Sequence, residues 1–439
     1  MSGGTSGILD GLFSDPETAA LFSDEESIRA MVAVEAALAR AQARVGLIPA
    51  DAAERITAAA ASFEPDLEDL RAGTEITGVP TVALVDQLRA HVGGEAAAYV
   101  HWGATSQDII DTGLVLRLAR LSNHMAGRLG EIIGKLADTA RRHADTVMAA
   151  RTRSQQALPT TFGLKAANWL APLARHRKRL DQIRPRLLVV QLGAAVGSLA
   201  PMGGRGLEIM EAMAEDLGLG PATPWHTQRD GLVEFANWLA MVTVSLGKIG
   251  QDIMLMSYSE VGEAKDGGGG GGSSTMPQKA NPIAAETLVA LARLNAGLIG
   301  NIHQAALQEH ERGGPGWQLE WLTLPRMAGA CGAALRHAAR LAGDLAVDPE
   351  RMRANLDSSN GLIMAEAASF ALAEHMPRPE AQALVKQACG EAARAGRNLF
   401  EVLKDRCDAP VDWQAVSDPA NYLGEADALI RRILNEAGV

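Results

Sequence analysis

The chain has 439 residues, of which 47% are hydrophobic and 21% charged, and its formal net charge is −11 at pH 7. This composition predicts a folded globular protein with a sizeable core, and the acidic balance excludes the basic surface that a nucleic-acid backbone requires. Three widely spaced cysteines without a Cys-x-x-Cys pair predict reduced thiols rather than disulfides or a zinc site.

No part of the sequence predicts an export or membrane segment. The first 27 residues contain no basic stretch followed by an apolar run, as a signal peptide would. The longest uncharged stretch, residues 187–204, contains four glycines and a proline and predicts a loop. We therefore expect a cytoplasmic protein that binds neither a membrane nor nucleic acid.

Helices are predicted along almost the whole chain, and the first long one starts after residue 105. It follows shorter, alanine-rich helices over about 25–100. From Ser106 to about Thr146, apolar residues recur every three or four positions, which predicts a helix about 60 Å long. Its apolar stripe consists of Ile110, Leu114, Leu118, Leu121, Met125, Leu129, Ile132 and Leu136.

Four further long helices follow in chain order. They are predicted at about 160–188, 226–259, 282–311 and 324–345, and shorter helices fill about 350–438. Asn281 and Pro282 are expected to be the cap and the first residue of the third of these. The helix over 226–259 has the strictest stripe, formed by Leu232, Phe235, Leu239, Val242, Leu246, Ile249, Ile253 and Met256.

This order of elements predicts an all-α protein built around an elongated bundle of five long helices. Two small helical domains are expected to flank the bundle, with the three domains over 1–105, 106–345 and 346–439. Stripes this long and this rich in alanine and leucine predict that the bundle buries more than one face against copies of itself.

The first break between helices that contains candidate functional side chains is HWGATSQD, residues 101–108. Thr105 and Ser106 stand at the start of the longest helix, where hydroxyls and free backbone N–H groups favour an anion. The alternative is an ordinary helix cap, for which serine and threonine are common.

The second break is ARTRSQQALPTT, residues 150–161. Arg151 and Arg153 lie beside Thr152 and Gln155, and guanidinium groups bind carboxylates through two hydrogen bonds. The sequence therefore predicts a carboxylate site before the next helix. Surface ion pairing is the alternative.

The third break is PWHTQRD, residues 224–230. The pattern predicts His226, Arg229 and Asp230 in the first turn of the helix that follows. The imidazole and the guanidinium are candidates for substrate binding. A structural histidine with its hydrogen bonds satisfied is the alternative for His226.

The fourth break is DGGGGGGSSTMPQKANPI, residues 266–283. Ordering six glycines costs about 1 kcal/mol or more for each, so the run is expected to move until something holds it. It lies between two core helices, and Ser273, Ser274, Lys279 and Asn281 follow at once. A lid that closes over a ligand is favoured over a flexible linker.

Residues 271–282 resemble the signature loop of the aspartase/fumarase superfamily. They read GGSSTMPQKANP and match every defined position of G-S-S-x-M-P-x-K-x-N-P. The segments HWGATSQDIIDT and RTRSQQALPTT are similar to the two other active-site segments of that family and occur in the same order. The resemblance covers nearly the whole chain.

The resemblance implies an all-α homotetramer whose central domains form a twenty-helix core, with each active site assembled from three subunits. It implies neither a metal nor an organic cofactor. It also implies that the loop closes over a bound dicarboxylate and that Ser273 is the base that takes a proton from the carbon next to a carboxylate. Lys279 and Asn281 would be the other catalytic residues, because they suit the charge that develops on that carboxylate.

Two departures from the family pattern narrow the reaction. The amine-releasing lyases read R-T-H-L-Q where this chain has Arg153 in place of the histidine. A second histidine of the adenylosuccinate lyases is absent from TGVPTVALV, near residue 80. An amine leaving group would therefore lack its acid. We expect instead a leaving group that departs as a stable anion.

The segment QEHERGGPGWQLEWLTLP, residues 308–325, resembles the Q-E-H-E-R-x-x-x-x-W-x-x-E-W-x-x-L-P pattern of bacterial 3-carboxy-cis,cis-muconate cycloisomerases. Nucleotide-handling relatives have serine and arginine where this chain has Trp317, Glu320 and Trp321, which disfavours a phosphate. The resemblance implies lactonisation of 3-carboxy-cis,cis-muconate or a close analogue through an aci-carboxylate intermediate, with the lid serine as the acid–base group.

The expected ligand is a small dicarboxylate or tricarboxylate. Thr105, Ser106, Thr152 and Gln155 match family positions that hold substrate carboxylates. The other residues expected at the substrate are Arg151, Arg153, His226, Arg229, Ser274, Met276, His310 and Arg312.

Three alternatives stay open. A lyase could release fumarate together with another stable anion, such as nitrite from nitrosuccinate. An amine lyase would need a proton donor that the sequence does not identify. A non-catalytic structural or binding protein on this fold is the third alternative, and the intact Ser273, Lys279 and Asn281 argue against it.

Overall fold

The computed structural model describes residues 7–269, 271–272 and 274–439, and the predicted all-α fold is confirmed. In chain order the α-helices are α1 (Gly7–Phe13), α2 (Pro16–Ala20), α3 (Asp24–Arg44), α4 (Ala50–Ala61), α5 (Leu67–Thr77), α6 (Thr81–Val92), α7 (Ser106–Arg142), α8 (Phe162–Leu187), α9 (Gly206–Leu217), α10 (Asp230–Met256), α11 (Ile283–Ala305), α12 (Pro315–Asp344), α13 (Pro349–Asp357), α14 (Ala365–Ala373), α15 (Arg378–Ala395), α16 (Leu399–Arg406), α17 (Trp413–Ser417) and α18 (Ala426–Ala437). Short 3-10 helices lie at Glu95–Tyr99, Ala200–Met202, Leu362–Met364 and Pro419–Asn421.

Short antiparallel strands accompany these helices. The strand β1 (Val147–Thr152) pairs with β2 (Gln155–Thr161) as a hairpin, and Thr152 is opposite Gln155. The strand β3 (Ala264–Asp266) pairs with β4 (Leu345–Val347). The hairpin occupies the break that the sequence places before α8, so this segment is a pair of strands rather than an irregular loop.

Both predicted apolar stripes are buried. No stripe residue of α7 or α10 is more than 9% exposed. Because burying a leucine or isoleucine side chain contributes about 1.5–3 kcal/mol, the stripes alone hold these two helices in place. The three- and four-residue spacing was therefore sufficient to identify the core faces.

Three helix starts differ from the predicted ones. α10 begins at Asp230, so His226 and Arg229 precede it, and the Arg229 carbonyl accepts the hydrogen bond of Val233 N–H. α11 begins at Ile283, one residue later than predicted. α12 begins at Pro315, well before the predicted residue 324. The early start of α12 brings the segment with Trp317 and Glu320 into a helix.

The chain divides into two compact units. The first comprises the residues up to Arg128 together with 176–244 and 290–336, and the second comprises 129–175, 245–289 and 337–439. In the first unit, α3 and α9 share a core with the start of α7, and α4 packs with α6. In the second unit, α14, α15 and α16 share a core that includes Leu372 and Leu403. The three-domain division remains a prediction.

Two helices, α10 and α11, are long and apolar enough to cross a membrane by length and composition. Core helices of soluble proteins meet the same criteria, so this is weak support for a membrane protein. In the apolar 18-residue window of α10, 61% is buried inside the chain, and in that of α11 the buried share is 39%.

Candidate active site

Thr105 and Ser106 lie at the N-terminus of α7, as predicted. The Thr105 backbone N–H donates to Asp108 Oδ2 (3.0 Å), and the Asp108 N–H donates back to the Thr105 carbonyl (3.0 Å). The first of these hydrogen bonds is one half of a capping box, with an aspartate in the third helical position, and the second is a backbone hydrogen bond of the first turn. Neither hydroxyl forms a hydrogen bond with another described residue, and both residues are partly exposed. The hydroxyls therefore stay available to an anion, because Asp108 supplies the cap.

The sequence reasoning overlooked Asp108. Its carboxylate is fully buried and accepts hydrogen bonds from Gln191 Nε2 (2.9 Å), Gly193 N–H (2.9 Å) and Ala194 N–H (3.0 Å). His226 Nε2 lies 3.0 Å from the same carboxylate. Asp108 thus ties the start of α7 to the loop at 191–194. No local pattern marks these contacts, since they join residues more than 80 positions apart.

His226 is buried beside Asp108 and is 3% exposed. Its backbone carbonyl accepts from Gln107 Nε2 (3.0 Å). A Cβ atom on Gly193 would come within 2.6 Å of the imidazole Cε1, so the ring fits tightly against that glycine. These contacts are those of a histidine held in one orientation. Its predicted role in substrate binding stays a prediction.

Arg229 lies between two carboxylates. Its guanidinium donates to Asp111 (2.6 and 3.2 Å) and to Glu320 (2.8 and 2.5 Å), and it stacks 4.8 Å above the Trp225 ring. Trp317 Nε1 donates to Asp111 Oδ1 (3.0 Å). The four hydrogen bonds that the Arg229 guanidinium donates to Asp111 and Glu320 therefore stay within the chain, which favours a positioning role for Arg229. Direct contact with the substrate stays a prediction.

Burial and charge shift the pKa values in this cluster. Burial lowers the pKa of the Arg229 guanidinium, but the charges of Asp111 and Glu320 raise it further than burial lowers it. Burial raises the pKa of the Glu320 carboxyl above its ordinary value, and Arg229 offsets only part of that rise. Arg229 is therefore a permanent cation held between two acidic groups.

His310 and Arg312 lie in the loop between α11 and α12. His310 is exposed and has a positive φ of 48°. Arg312 Nη2 donates to the carbonyls of Ala194 (3.2 Å) and Ala195 (2.6 Å). Since the Ala194 N–H donates to Asp108, the structure brings Arg312 to the same loop that holds the start of α7.

The segment that contains Arg151 and Arg153 forms part of the β1–β2 hairpin, which belongs to the second unit. Arg151 forms a two-pronged ion pair with Glu263 (2.7 and 2.6 Å), which is fully buried and also accepts from Asn355 Nδ2 (2.9 Å). Arg153 and Ser154 are the two turn residues and have positive φ angles of 49° and 70°. Glu263 and Asn355 were not among the predicted residues. The hairpin thus presents Arg153 at its exposed tip, while the ion pair of Arg151 with Glu263 anchors the strand end next to that turn.

The predicted lid also belongs to the second unit. Its incoming end is held by Gly267 N–H to the Asp344 carbonyl (2.8 Å) and by an ion pair between Asp266 and Arg340 (2.6 Å). Its other end is closed by the Asn281 N–H, which donates to the Gly271 carbonyl (2.9 Å). A chain segment with such close ends is an Ω-loop.

Between these ends, most of the described side chains of the lid are exposed to solvent. Ser274, Met276 and Lys279 are exposed, and Asn281 is half-buried. The Lys279 N–H donates to the Met276 carbonyl (3.1 Å) inside the loop. Ser273 lies outside the described residues, so its predicted role as the base stays a prediction.

The candidate residues fall into two sets. Thr105, Ser106, His226, Arg229, His310 and Arg312 belong to the first unit, whereas Arg151, Thr152, Arg153, Gln155, Ser274, Met276, Lys279 and Asn281 belong to the second. Within the described part of the chain, no three or more His, Cys, Asp or Glu side chains are grouped so that they could hold a metal ion.

Comparisons with known proteins agree on one family. Residues 13–295 match a family described as lyase, and residues 361–433 match one described as adenylosuccinate lyase C-terminus. The chain is 44% identical over 440 residues to 3-carboxy-cis,cis-muconate cycloisomerase of Pseudomonas aeruginosa, covering 98% of this chain and 96% of that one. It is 38% identical over 447 residues to nitrosuccinate lyase of Streptomyces davaonensis, covering 97% and 94%.

A solved structure shows the same similarity in three dimensions. The crystal structure of 3-carboxy-cis,cis-muconate lactonizing enzyme from Pseudomonas putida aligns with a TM-score of 0.93 at 41% identity, and the alignment covers 99% of each chain. The similarity therefore extends over whole enzymes and includes every segment that carries a candidate residue.

Proposed function

Because this chain belongs to the aspartase/fumarase superfamily of lyases, we propose that it is a cycloisomerase that lactonises 3-carboxy-cis,cis-muconate or a close analogue. The observation that carries the proposal is the 44% identity with the Pseudomonas aeruginosa cycloisomerase over almost all of both chains. A shared fold alone would not suffice, since one fold hosts many reactions. The candidate residues supply the chemical argument.

Arg153 supports an anionic rather than an amine leaving group. It stands at the exposed tip of the β1–β2 hairpin and carries a guanidinium group, which binds carboxylates through two hydrogen bonds. A fixed cation binds a carboxylate, but it cannot donate the proton that a departing amine needs. In a lactonisation read backwards the departing group is a carboxylate, which needs no acid.

The reaction then proceeds without an added reagent. A carboxylate oxygen of the substrate forms a C–O bond to one carbon of its own double bond, and the electron pair of that bond moves into the conjugated carboxyl group as an aci-carboxylate. The neighbouring carbon next takes a proton from the hydroxyl of Ser273, and Ser273 regains a proton from solvent before the next turnover. In the opposite direction Ser273 removes that proton and the C–O bond breaks.

The remaining candidates divide into contacting and positioning residues. Lys279, Asn281 and the lid N–H groups stabilise the charge on the aci-carboxylate when the lid closes. Thr105 and Ser106 hold a substrate carboxylate at the N-terminus of α7. His226 and Arg229 support that N-terminus through Asp108 and Asp111. Ser274, Met276, His310 and Arg312 would line the site around these groups.

We further propose a cytoplasmic homotetramer in which several subunits build each site. Apolar side chains on core helices are exposed in the single chain, among them Val244 (52%) on α10, Leu294 (50%) on α11 and Leu322 (54%) on α12. A cavity of about 680 Å³ lies among α3, α4 and α9, and no candidate residue lines it. The exposed apolar side chains of the long helices support their burial against other copies of the chain.

Ultraviolet absorbance tests the proposed reaction directly. The purified enzyme should consume 3-carboxy-cis,cis-muconate, with loss of its diene absorbance. The second candidate is elimination of nitrite from nitrosuccinate, favoured by the 38% identity to the Streptomyces davaonensis lyase. Gain of fumarate absorbance and of nitrite from nitrosuccinate, without loss of muconate, would favour that candidate instead.

Two serine variants test the assigned acid–base group. Ser273→Ala should lower turnover by about three orders of magnitude or more, because the variant lacks the hydroxyl that exchanges the proton with the substrate carbon. Ser274→Ala is the matched control and should keep most of the activity. If Ser274→Ala proves the more damaging, the assignment of the base is wrong by one residue.

A further inference from the structure

A lysine near the hairpin has no hydrogen-bonding partner in its own unit. Lys165 lies in the first turn of α8, directly after β2, and it is half-buried. Its ammonium group donates to none of the residues that the structure describes. A partly buried ammonium usually finds an acceptor, so this lysine calls for an explanation.

The carboxylates near Lys165 already have other partners. Asp252 accepts from Trp169 Nε1 (2.7 Å) and pairs with Lys248. Glu263 accepts two hydrogen bonds from Arg151 and one from Asn355. Lys165 interacts with both carboxylates through charge alone.

The local charge balance is positive. Three cations, Lys165, Lys248 and Arg151, face two carboxylates, Asp252 and Glu263. Burial lowers the pKa of the Lys165 ammonium, Asp252 raises it, Lys248 and Arg151 lower it, and Glu263 raises it, so that the pKa lies below its ordinary value. Desolvating a charge without a partner is unfavourable, and a bound anion would relieve that penalty.

The position of Lys165 indicates which anion. It follows β2 by four residues and interacts with Arg151 on β1, so it lies by the hairpin that carries Arg151, Thr152, Arg153 and Gln155. That hairpin is the segment whose side chains suit a carboxylate. A lysine is a compact point charge and complements the planar forks of the arginines.

We propose that Lys165 binds a carboxylate group of the substrate and helps to select substrates with an additional carboxylate. This rests on the proposed function only in that the substrate is a small di- or tricarboxylate. Lys165 supplies a donor and a charge to a group away from the reacting carbon. It therefore determines affinity and specificity more than the rate of the chemical step.

Three variants and two measurements test this role. Lys165→Met removes the charge at similar length, Lys165→Arg keeps it, and Lys386→Met makes the same change at an exposed lysine of α15 in the same unit. Lys165→Met should raise KM for 3-carboxy-cis,cis-muconate about 10- to 100-fold, the range expected for lost hydrogen bonds to a charged group, with a much smaller change in kcat. Lys165→Arg should recover part of the loss, and Lys386→Met should behave as the wild type.

The second measurement is the binding of citrate, an inert tricarboxylate, by calorimetry as a function of pH. An ammonium that must be charged to bind an anion loses affinity for it as the pH rises through its lowered pKa. The wild type should show this fall at a pH below the ordinary lysine value of 10.5, and Lys165→Arg should not. A merely structural lysine would give identical pH profiles in the two proteins.

The outcomes separate this inference from the proposed function. Wild-type turnover with an unchanged KM in Lys165→Met overturns the role of Lys165 and leaves the proposed function intact. No turnover of muconate by the wild type overturns the proposed function, whereas the citrate profiles still decide the role of Lys165. If Lys165→Met does not fold, the pH profile of Lys165→Arg decides: a retained alkaline fall overturns the inference.

Discussion

Arg153 is held in a backbone conformation that arginine rarely adopts. Both turn residues of the β1–β2 hairpin, Arg153 and Ser154, have positive φ, which is the geometry of a type I′ turn. Such turns favour Asn-Gly, and a residue with a Cβ pays about 1 kcal/mol in this region. Strain retained at a surface turn points to a function of the side chain.

Replacing Arg153 by glycine should therefore separate stability from activity. Arg153→Gly should raise the free energy of unfolding by up to about 1 kcal/mol, because the left-handed conformation no longer strains a Cβ. It should also lower kcat/KM for muconate by at least about tenfold, because the cation is lost. Denaturant unfolding and steady-state kinetics measure the two effects.

Ser154→Gly is the control for that experiment. It relieves the same strain one residue further along the turn, and we expect the gain in stability without the loss of activity. Arg153→Lys should have intermediate activity, since a point charge replaces the two-pronged group. Full activity of Arg153→Gly would reduce Arg153 to a surface residue and reopen the choice of leaving group.

His101 forms a second acid–base contact that the sequence did not reveal. Its Nδ1 lies 2.6 Å from Glu35 Oε1, and the Glu35 side chain is 1% exposed. Burial lowers the pKa of the His101 imidazole, but the charge and hydrogen bond of Glu35 raise it further, so the pKa lies above its ordinary value. The folded state therefore binds the histidine proton more tightly than the unfolded chain.

This shift makes stability depend on pH. A raised pKa in the folded state contributes its full stabilisation below the ordinary histidine value of 6.5, and loses it as the pH rises through the folded-state value. The free energy of unfolding should therefore fall as the pH rises above 6.5. His101→Asn, which tolerates the positive φ of 62°, should flatten that fall.

The control for the pH dependence is His375→Asn, since His375 is exposed and follows the C-terminal end of α14. It should leave the pH dependence of stability unchanged. An equal slope in the wild type and in His101→Asn would show that other groups account for it.

At the scale of whole elements, periodicity was a good guide to the long helices and a poor one to their ends. α7 and α10 follow their stripes because apolar burial alone decides the face. The start of α12 was placed too late, because Pro325 resembles a helix start although it lies inside the helix. The turns before it are helical because Trp317 and Glu320 contact Asp111 and Arg229.

The hairpin and the partners of the candidate residues could not be predicted from the sequence, for a related reason. An Arg-Ser turn lacks the glycine or asparagine that marks a type I′ hairpin. Asp108, Asp111 and Glu263 carry no local pattern, because each pairs with a residue 83 or more positions away, as in the pair of Arg151 with Glu263. Motif resemblance located the segments, and only the fold identifies what holds them.

The base of the lid depends on a glycine at one position. A Cβ on Gly271 would come within 2.1 Å of the Asn281 carbonyl oxygen, and φ there is +69°. Gly271→Ala should therefore break the Gly271–Asn281 hydrogen bond that closes the loop. We expect turnover to fall by about tenfold or more, because closure must position Lys279 and Asn281. Hydrogen exchange across 274–281 should rise at the same time.

Gly272→Ala is the matched control, because a Cβ there would have no heavy atom within 4 Å. It shortens the glycine run by the same amount without a clash. We expect near-wild-type turnover and unchanged exchange. If both alanine variants behave alike, chain flexibility rather than the closed base of the loop controls the lid.

At the scale of the whole molecule, the exposed apolar side chains of the long helices predict self-association. Val244, Leu294 and Leu322 are each at least half exposed in the single chain, although they lie on helices whose other faces form the core. Light scattering should give a mass about four times 46.2 kDa. Leu294→Asp should lower that mass and the activity together, whereas Leu429→Asp on α18, where Leu429 is 45% exposed, should leave both unchanged.

Mixing inactive variants tests whether the sites are shared between subunits. Ser273→Ala disables the lid and Arg153→Ala disables the hairpin, so each homotetramer should be nearly inactive. In hybrid tetramers formed by co-expression, some sites would combine an intact lid from one subunit with an intact hairpin from another, and activity should return well above the sum of the parents. Co-expression of Ser273→Ala with Lys279→Ala, both in the lid, should restore none. Sites built within a single chain would give no recovery in either mixture, and the shared-site proposal would then fail even if the mass is that of a tetramer.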